Sequence, residues 1–210
     1  MIKNIIFDFG GVLLNLDMEL TFSELSEVTG VPIKGEDIPA QIFKVMLGYE
    51  KGEINTETFL WHLQKEATKL TPQPDKLIKA WNAMLLGWNP DRFEFLLELR
   101  KNYKVFLLSN TNELHIDWVK RDLKKSHEIS DFETRYFDKV FYSHNMKMRK
   151  PELSIYKSVI EETGIDPSET LFIDDNIANV SAAISAGWKS ICHDPKTEII
   201  DQLPKYLKRI

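Results

Sequence analysis

Several short apolar runs along this 210-residue chain end on residues that can do chemistry. IKNIIF (2–7) runs into Asp8 and then Gly10-Gly11, KVFLLS ends at Ser109 and Asn110, and ETLFID ends at Asp174 and Asp175. Lys150-Pro151 follows a further apolar run, FDKVFYS. Each has an ordinary reading when taken alone. An aspartate after a strand starts a loop or caps a helix, Ser109-Asn110-Thr111-Asn112 serves as a cap with its loop, and Lys-Pro is common surface sequence. Together they supply a nucleophile candidate, hydroxyl and amide donors, one cation and two further carboxylates. Three carboxylates at one edge would repel by about 4 kcal/mol per pair at 4 Å and an effective dielectric near 20, so a cation is needed. An all-oxygen donor set without histidine or thiolate favours magnesium, which shares its remaining sites with water and a phosphate. A carboxylate such as Asp8 can attack phosphorus and form an aspartyl-phosphate. Lys150 would balance the accumulating charge, and Ser109 with the backbone amides near Gly10 and Asn110 would donate to phosphoryl oxygens.

These residues meet only if the runs are neighbouring parallel strands, because ligands of an open parallel sheet bind outside the strands' carboxyl ends. The periodicity predicts that arrangement. Helical spacing in PDRFEFLLELRKN, ELHIDWVKRDLKK, PELSIYKSVIEETG and NIANVSAAISAG alternates with the strand runs, and KSIC forms a last strand. The fold class expected is α/β, a Rossmann-like parallel sheet with helices on both faces. From Asp17 to Trp88 the pattern is helical throughout, about four helices without a strand, which implies a separate lobe over the carboxyl edge of the first strand. The tail TEIIDQLPKYLKRI reads as a surface helix. Trp61, Trp81 and Trp88 are expected in the apolar core of the helical lobe.

A net charge of −5 provides no broad cationic surface, which argues against nucleic acid and anionic membrane as partners. The amino-terminal apolar run is too short for a signal peptide or a membrane span, so a cytoplasmic location is expected. The five histidines show no metal-ligand spacing, and the single Cys192, in WKSIC, is expected to be a buried structural thiol. Oligomeric state is not readable.

FDFGGVL (7–13), LLSNTN (107–112), KMRKPELSIY (147–156) and LFIDDNIANVSAAISAGW (171–188) resemble the four ordered motifs of the haloacid dehalogenase-like hydrolase superfamily. YEKGEINTETF resembles cap sequences of the branch that contains the epoxide hydrolase amino-terminal phosphatase and bacterial glucose-1-phosphate phosphatases. The resemblance implies a core of residues 1–14 and 89–210, a small four-helix cap over residues 15–88, and magnesium-dependent hydrolysis of small phosphate monoesters, a sugar phosphate being favoured. It implies Asp8 as nucleophile and metal ligand, Ser109 as phosphate ligand, Lys150 as charge stabiliser, and Asp174 with Asp175 as magnesium ligands.

The chain departs from the pattern at one position. The family's phosphatases usually carry a second aspartate two residues after the nucleophile, a metal ligand through its carbonyl and an acid and base through its side chain. Gly10 stands there, keeping the carbonyl and losing the proton carrier. Loss of a general acid costs about 10² to 10⁴-fold in rate. Asp17 is a candidate replacement by position, with capping of the first cap helix as the competing role. Haloacid dehalogenation and a non-catalytic regulatory module are the alternatives to a phosphatase.

Overall fold

Side chains alternate across a strand, and the central strands carry apolar residues at consecutive interior positions, so both faces of their sheet must be covered. The structure, a computed structural model, describes residues 1–35, 37–68 and 70–208. Its main sheet has five parallel strands: β1 (Asn4–Phe7), β4 (Lys104–Ser109), β5 (Lys139–Tyr142), β6 (Thr170–Asp174) and β7 (Lys189–Cys192), in the order β5-β4-β1-β6-β7. On one face Ile5, Phe7, Val105, Leu107, Leu171 and Ile173 join a core closed by α5 (Asp91–Leu99), α6 (Glu113–His127), α7 (Phe132–Tyr136) and α11 (Ile199–Leu207). On the other, Ile6, Phe106, Leu108 and Phe172 pack against α9 (Leu153–Thr163) and α10 (Ile177–Ser185). The chain runs outward from β1 through β4 to β5, then returns to place β6 on the opposite side of β1. That reversal puts a crevice at the carboxyl ends of β4, β1 and β6.

Between β1 and α5 lie α1 (Met18–Thr29), α2 (Ala40–Glu50), α3 (Thr56–Glu66) and α4 (Pro74–Trp81), which bury a cluster of their own that includes Phe22, Leu25, Phe59, Leu63, Leu77 and Trp81. Asp17 and Asn55 cap α1 and α3 with their side chains, and Gly30 ends α1 at φ 74°. The sequence pattern predicts no strand here, yet β2 (Asn15–Leu16) and β3 (Leu85–Gly87) form a short antiparallel pair. The two chain crossings into this segment run side by side, and pairing satisfies their backbone groups where no helix can. Two strands of two and three residues are too short to show alternation.

Two tryptophans depart from expectation. Trp61 is 51% exposed beneath Lys65, whose Nζ lies 4.9 Å from the ring centroid, because it faces away from the α1–α4 cluster. Trp88 packs against Phe9, Phe93 and Phe132 of the main sheet's core. Cys192 is exposed rather than buried, since it ends the edge strand β7, and its Sγ lies 3.4 Å from the Asp175 carbonyl. A helix is present at 199–207 as expected, although Arg209 and Ile210, the end of that tail, lie outside the described residues, as does Lys69 near the end of α3. Among the described residues no helix is long and apolar enough to cross a membrane.

Candidate active site

Register in the sheet fixes which loops meet. Phe7 lies beside Leu107 on one side and Ile173 on the other, so the residues that follow, Asp8, Ser109 and Asp174, emerge together. The Asp8 amide donates to the Ile173 carbonyl at 2.8 Å, which ties the turn to β6. One carboxylate oxygen each from Asp8, Asp174 and Asp175 lie within 4.8 Å of one another.

Lys150 enters this set from the segment after β5. Its Nζ donates to Asp8 Oδ1 at 2.8 Å and to Asp174 Oδ2 at 2.6 Å, and the residue is 1% exposed. The amide side chain of Asn110 holds the lysine in place with a reciprocal pair: Asn110 Nδ2 donates to the Lys150 carbonyl and the Lys150 amide donates to Asn110 Oδ1, both at 2.9 Å. The side chain of Asn110 is therefore committed to the lysine's backbone. Ser109, buried at the end of β4, lies in the wall of the cleft described below.

Asp174 is buried and held by Asn179, whose Nδ2 donates to both carboxylate oxygens at 3.0 and 3.1 Å, and by the Asn176 amide at 2.8 Å. Asp175 is exposed and approaches Gly11 so closely that a Cβ there would lie 2.3 Å from its Oδ2. Gly11 also has φ 72°, so two constraints select glycine at that turn.

Charge in the set is unbalanced, three carboxylates against one lysine. Burial pushes the Asp8 pKa up to about 8, with Lys150 opposing and Asp174 and Asp175 reinforcing. Burial alone would lower the Lys150 pKa, but the charges and hydrogen bonds of Asp8 and Asp174 outweigh it and raise it. Asp175 is raised by partial desolvation and by Asp174. A carboxylate whose pKa is raised by burial and by two further carboxylates is the condition a divalent cation relieves, and the donors available are all oxygen, so the residues present fit a hard cation.

Gly10 lies two residues past Asp8, where a Cβ would stand 2.2 Å from Leu16 Cδ1. Asp17 is exposed, and its Oδ1 accepts from the Glu19 amide at 3.1 Å, which caps α1; it is not brought to the Asp8–Lys150 set.

A cleft of about 300 Å³ opens on Gly10, Ser109 and Asn110 and continues up to α1, α2 and α4. A larger polar depression of about 530 Å³, around Glu113, Lys120 and Tyr142, and the smaller cleft are both lined by other residues than the three clustered aspartates, but only the smaller one is lined by Gly10, Ser109, Asn110 and Arg149, the neighbours of Asp8 and Lys150, so it is the one beside the candidate chemistry. Several contacts join the helical segment to the core beside the cleft. Trp81 stacks on His115 with centroids 5.1 Å apart and donates from Nε1 to Asn112 Oδ1 at 3.2 Å. Glu50 pairs with Arg149 at 3.1 Å, and Lys147 donates to the Gly52 carbonyl. Asn112, expected within a cap, does cap α6, but Asn179, the Glu50–Arg149 pair and the bond from Trp81 to Asn112 are not expected from sequence. Asn179, five residues after Asp174 on the first turns of α10, was the most accessible of these, because that spacing returns its side chain towards the strand end.

The family model for haloacid dehalogenase-like hydrolases matches residues 2–187. A D-ribitol-5-phosphate phosphatase of Bacteroides thetaiotaomicron is 29% identical over 90% of this chain and 91% of its own length, and a sesquiterpene phosphatase of Aspergillus oryzae is 28% identical over 88% and 86%. Among solved structures, a HAD family enzyme of Bacteroides thetaiotaomicron in complex with magnesium and inorganic phosphate superposes with a TM-score of 0.83 at 32% identity, covering 95% of this chain and 98% of the other. A 2-haloacid dehalogenase of Pseudomonas syringae, at 14% identity and a TM-score of 0.63, shares the fold. This chain belongs to the haloacid dehalogenase-like hydrolase family.

Proposed function

We propose that the protein is a magnesium-dependent phosphatase that hydrolyses small phosphate monoesters through an aspartyl-phosphate on Asp8. The observation that carries this reading is the cluster of Asp8, Asp174 and Asp175 around the buried Lys150. The phosphatase relatives and the neighbour that holds magnesium and phosphate support it. Asp8, Asp174 and Asp175, with the Gly10 carbonyl, would hold the metal, which when bound would neutralise charge on the phosphoryl group. Asp8 attacks phosphorus and expels the alcohol, and water then cleaves the acyl phosphate to release inorganic phosphate and the free carboxylate. Lys150 holds Asp8 in position and balances the phosphoryl charge, while Ser109 and the Asn110 amide bind phosphoryl oxygens. Residues 1–14 and 89–210 act as the catalytic core and residues 15–88 as a cap that excludes water during transfer. A phosphate ester fits this site, whereas a dehalogenase, whose nucleophile works without metal, would leave three carboxylates against the single Lys150. The glycine at position 10 favours a second reading, a non-catalytic module that keeps the metal site. A sugar phosphate follows from the family branch and from the ribitol-5-phosphate phosphatase relative; the cleft's own lining points elsewhere, as argued below.

Hydrolysis of p-nitrophenyl phosphate, a substrate whose leaving group needs little acid assistance, tests the reading. Turnover that requires magnesium and disappears in Asp8→Asn supports it. Magnesium binding without turnover of any ester would establish the non-catalytic module instead.

A further inference from the structure

The cleft that opens at Gly10, two residues past Asp8, and at Ser109 and Asn110 is built mostly of hydrocarbon. Phe9, Leu14 and Leu16 line it from the core side, and Phe22, Met46 and Trp81 from the helical segment. At its edge Met18 and Phe43, both among its lining residues, remain 46% and 48% exposed, so the apolar surface continues to solvent. We propose that the alcohol half of the substrate is apolar, an alkyl, alkenyl or aryl group rather than a polyol, and that it lies along this wall with the phosphate at Ser109 and Asn110. The inference rests on the phosphatase reading and goes against the sugar phosphate that the family branch implies.

Polar side chains do occur in the wall, but most are already engaged. Both ring nitrogens of His115 are occupied, one by Asn112 Nδ2 at 3.1 Å and the other by the Trp81 carbonyl at 3.2 Å. Trp81 spends its indole donor on Asn112, Asn110 pairs with the Lys150 backbone, and Glu50 pairs with Arg149. Among the described residues of the wall, one buried side-chain donor lacks a protein partner, Arg149 Nε. It is adjacent in sequence to Lys150, and a guanidinium donor suits a phosphoryl oxygen better than a hydroxyl. Hydroxyls of a polyol would surrender water and find few replacements, whereas methylenes would leave water for carbon. Leu16 adds to the argument, because it fills with a methyl group the space beside Gly10 where the family pattern has a carboxylate.

The experiment compares primary-alcohol esters: glycerol 3-phosphate, ribitol 5-phosphate, and propyl, pentyl and heptyl phosphate; because their hydroxyls make the polyols the better leaving groups, inhibitor affinities decide the comparison between polyol and alkyl. Each is assayed with the magnesium-loaded enzyme, alongside p-nitrophenyl phosphate. The matching phosphonates serve as competitive inhibitors, so that slow chemistry does not hide binding. Expected are a rise of about fourfold per added methylene in kcat/KM and in inhibitor affinity until the cleft is full. In inhibitor affinity the propyl compound should exceed its glycerol counterpart by roughly tenfold or more. Phe43→Asp should cost heptyl phosphate more than propyl phosphate. A flat alkyl series, or tighter binding of the polyol phosphonates, with p-nitrophenyl phosphate turnover intact, overturns the inference and leaves the phosphatase reading standing. An equal loss for both esters in Phe43→Asp overturns the placement of the alcohol along this wall. Absence of magnesium-dependent turnover of p-nitrophenyl phosphate defeats the phosphatase reading and this inference with it.

Discussion

Leu16 occupies the space that a side chain on Gly10 would need: a Cβ on Gly10 would lie 2.2 Å from Leu16 Cδ1. A side chain at position 10 would therefore meet the end of the Leu16 side chain, which has to turn aside or be shortened to admit it. Gly10→Asp alone should destabilise by about 1–3 kcal/mol through overpacking and should leave turnover of poor leaving groups no faster. Gly10→Asp with Leu16→Ala opens the space, and general-acid assistance should then raise the rate on alkyl phosphates by about 10² to 10⁴-fold. Comparing kcat on ethyl and p-nitrophenyl phosphate for the three proteins measures this. An unchanged ratio between the two esters in the double variant would show that position 10 cannot deliver the proton.

Lys150 is the buried counter-charge of Asp8 and Asp174, and removing it should be far worse than removing one of them. Lys150→Met leaves two carboxylates facing each other without a cation and should cost about 3–5 kcal/mol in the metal-free protein. For a chain of this length that is a fall in Tm of roughly 10 °C. Asp8→Asn removes a charge whose burial already pushes its pKa to about 8, so its metal-free Tm should stay within a few degrees of wild type. A large loss of stability in Asp8→Asn would mean that the carboxylate contributes more to folding than its surroundings imply.

His115 links pH to the joint between the α1–α4 segment and the sheet's helices, where it stacks on Trp81. Burial lowers its pKa from 6.5 to about 4 against the opposing effect of its hydrogen bond to the Trp81 carbonyl, so the folded state holds the ring neutral. Between about pH 6.5 and 4 the unfolded chain binds a proton that the folded one refuses, and stability must fall as pH falls through that window. Asp8, with its raised pKa, acts in the opposite direction over part of the range, so the clean measurement is a difference. The stability gap between wild type and His115→Asn, from denaturant melts at fixed magnesium, should be largest near pH 7 and shrink by pH 4.5. A constant gap would place the histidine in a solvated site.

Much of this site was legible from strand ends. β4, β6 and β7 begin and end within a residue or two of the runs KVFLLS, ETLFID and KSIC, because a strand buried on both faces is apolar at each step and stops where polar residues begin. Asp8, Asp174 and Asp175 were readable for the same reason, since each ends or follows such a run, whereas Lys150 lies eight residues past the end of β5 and was readable only as part of the ordered set of motifs. Asn179, the Glu50–Arg149 pair and the bond from Trp81 to Asn112 were hidden, since each acts through a partner distant in sequence or through a side chain's direction, which composition does not encode. Leu16 was hidden for a further reason. It belongs to the two-residue strand β2, and only its pairing with β3 turns it towards Gly10. Asp17 shows the limit of positional reasoning, for its nearness in sequence to Asp8 goes to capping α1.

Metal binding can be separated from catalysis by its effect on folding. If Asp8, Asp174 and Asp175 hold magnesium, a concentration of about 100 times Kd should stabilise the protein by about 2.7 kcal/mol, a rise in Tm of roughly 5–10 °C. Asp175→Asn is the informative variant, because the residue is exposed and its amide keeps the shape that fits against Gly11, so the fold should survive. It should lose most of the magnesium-induced shift. Asp17→Asn, at a helix cap away from the cluster, should keep the full shift. Thermal melts with magnesium and with a chelator give the result without any substrate. Equal shifts in wild type and Asp175→Asn would remove this carboxylate from the metal site and leave Asp8 and Asp174 to bind the ion with Lys150 still between them.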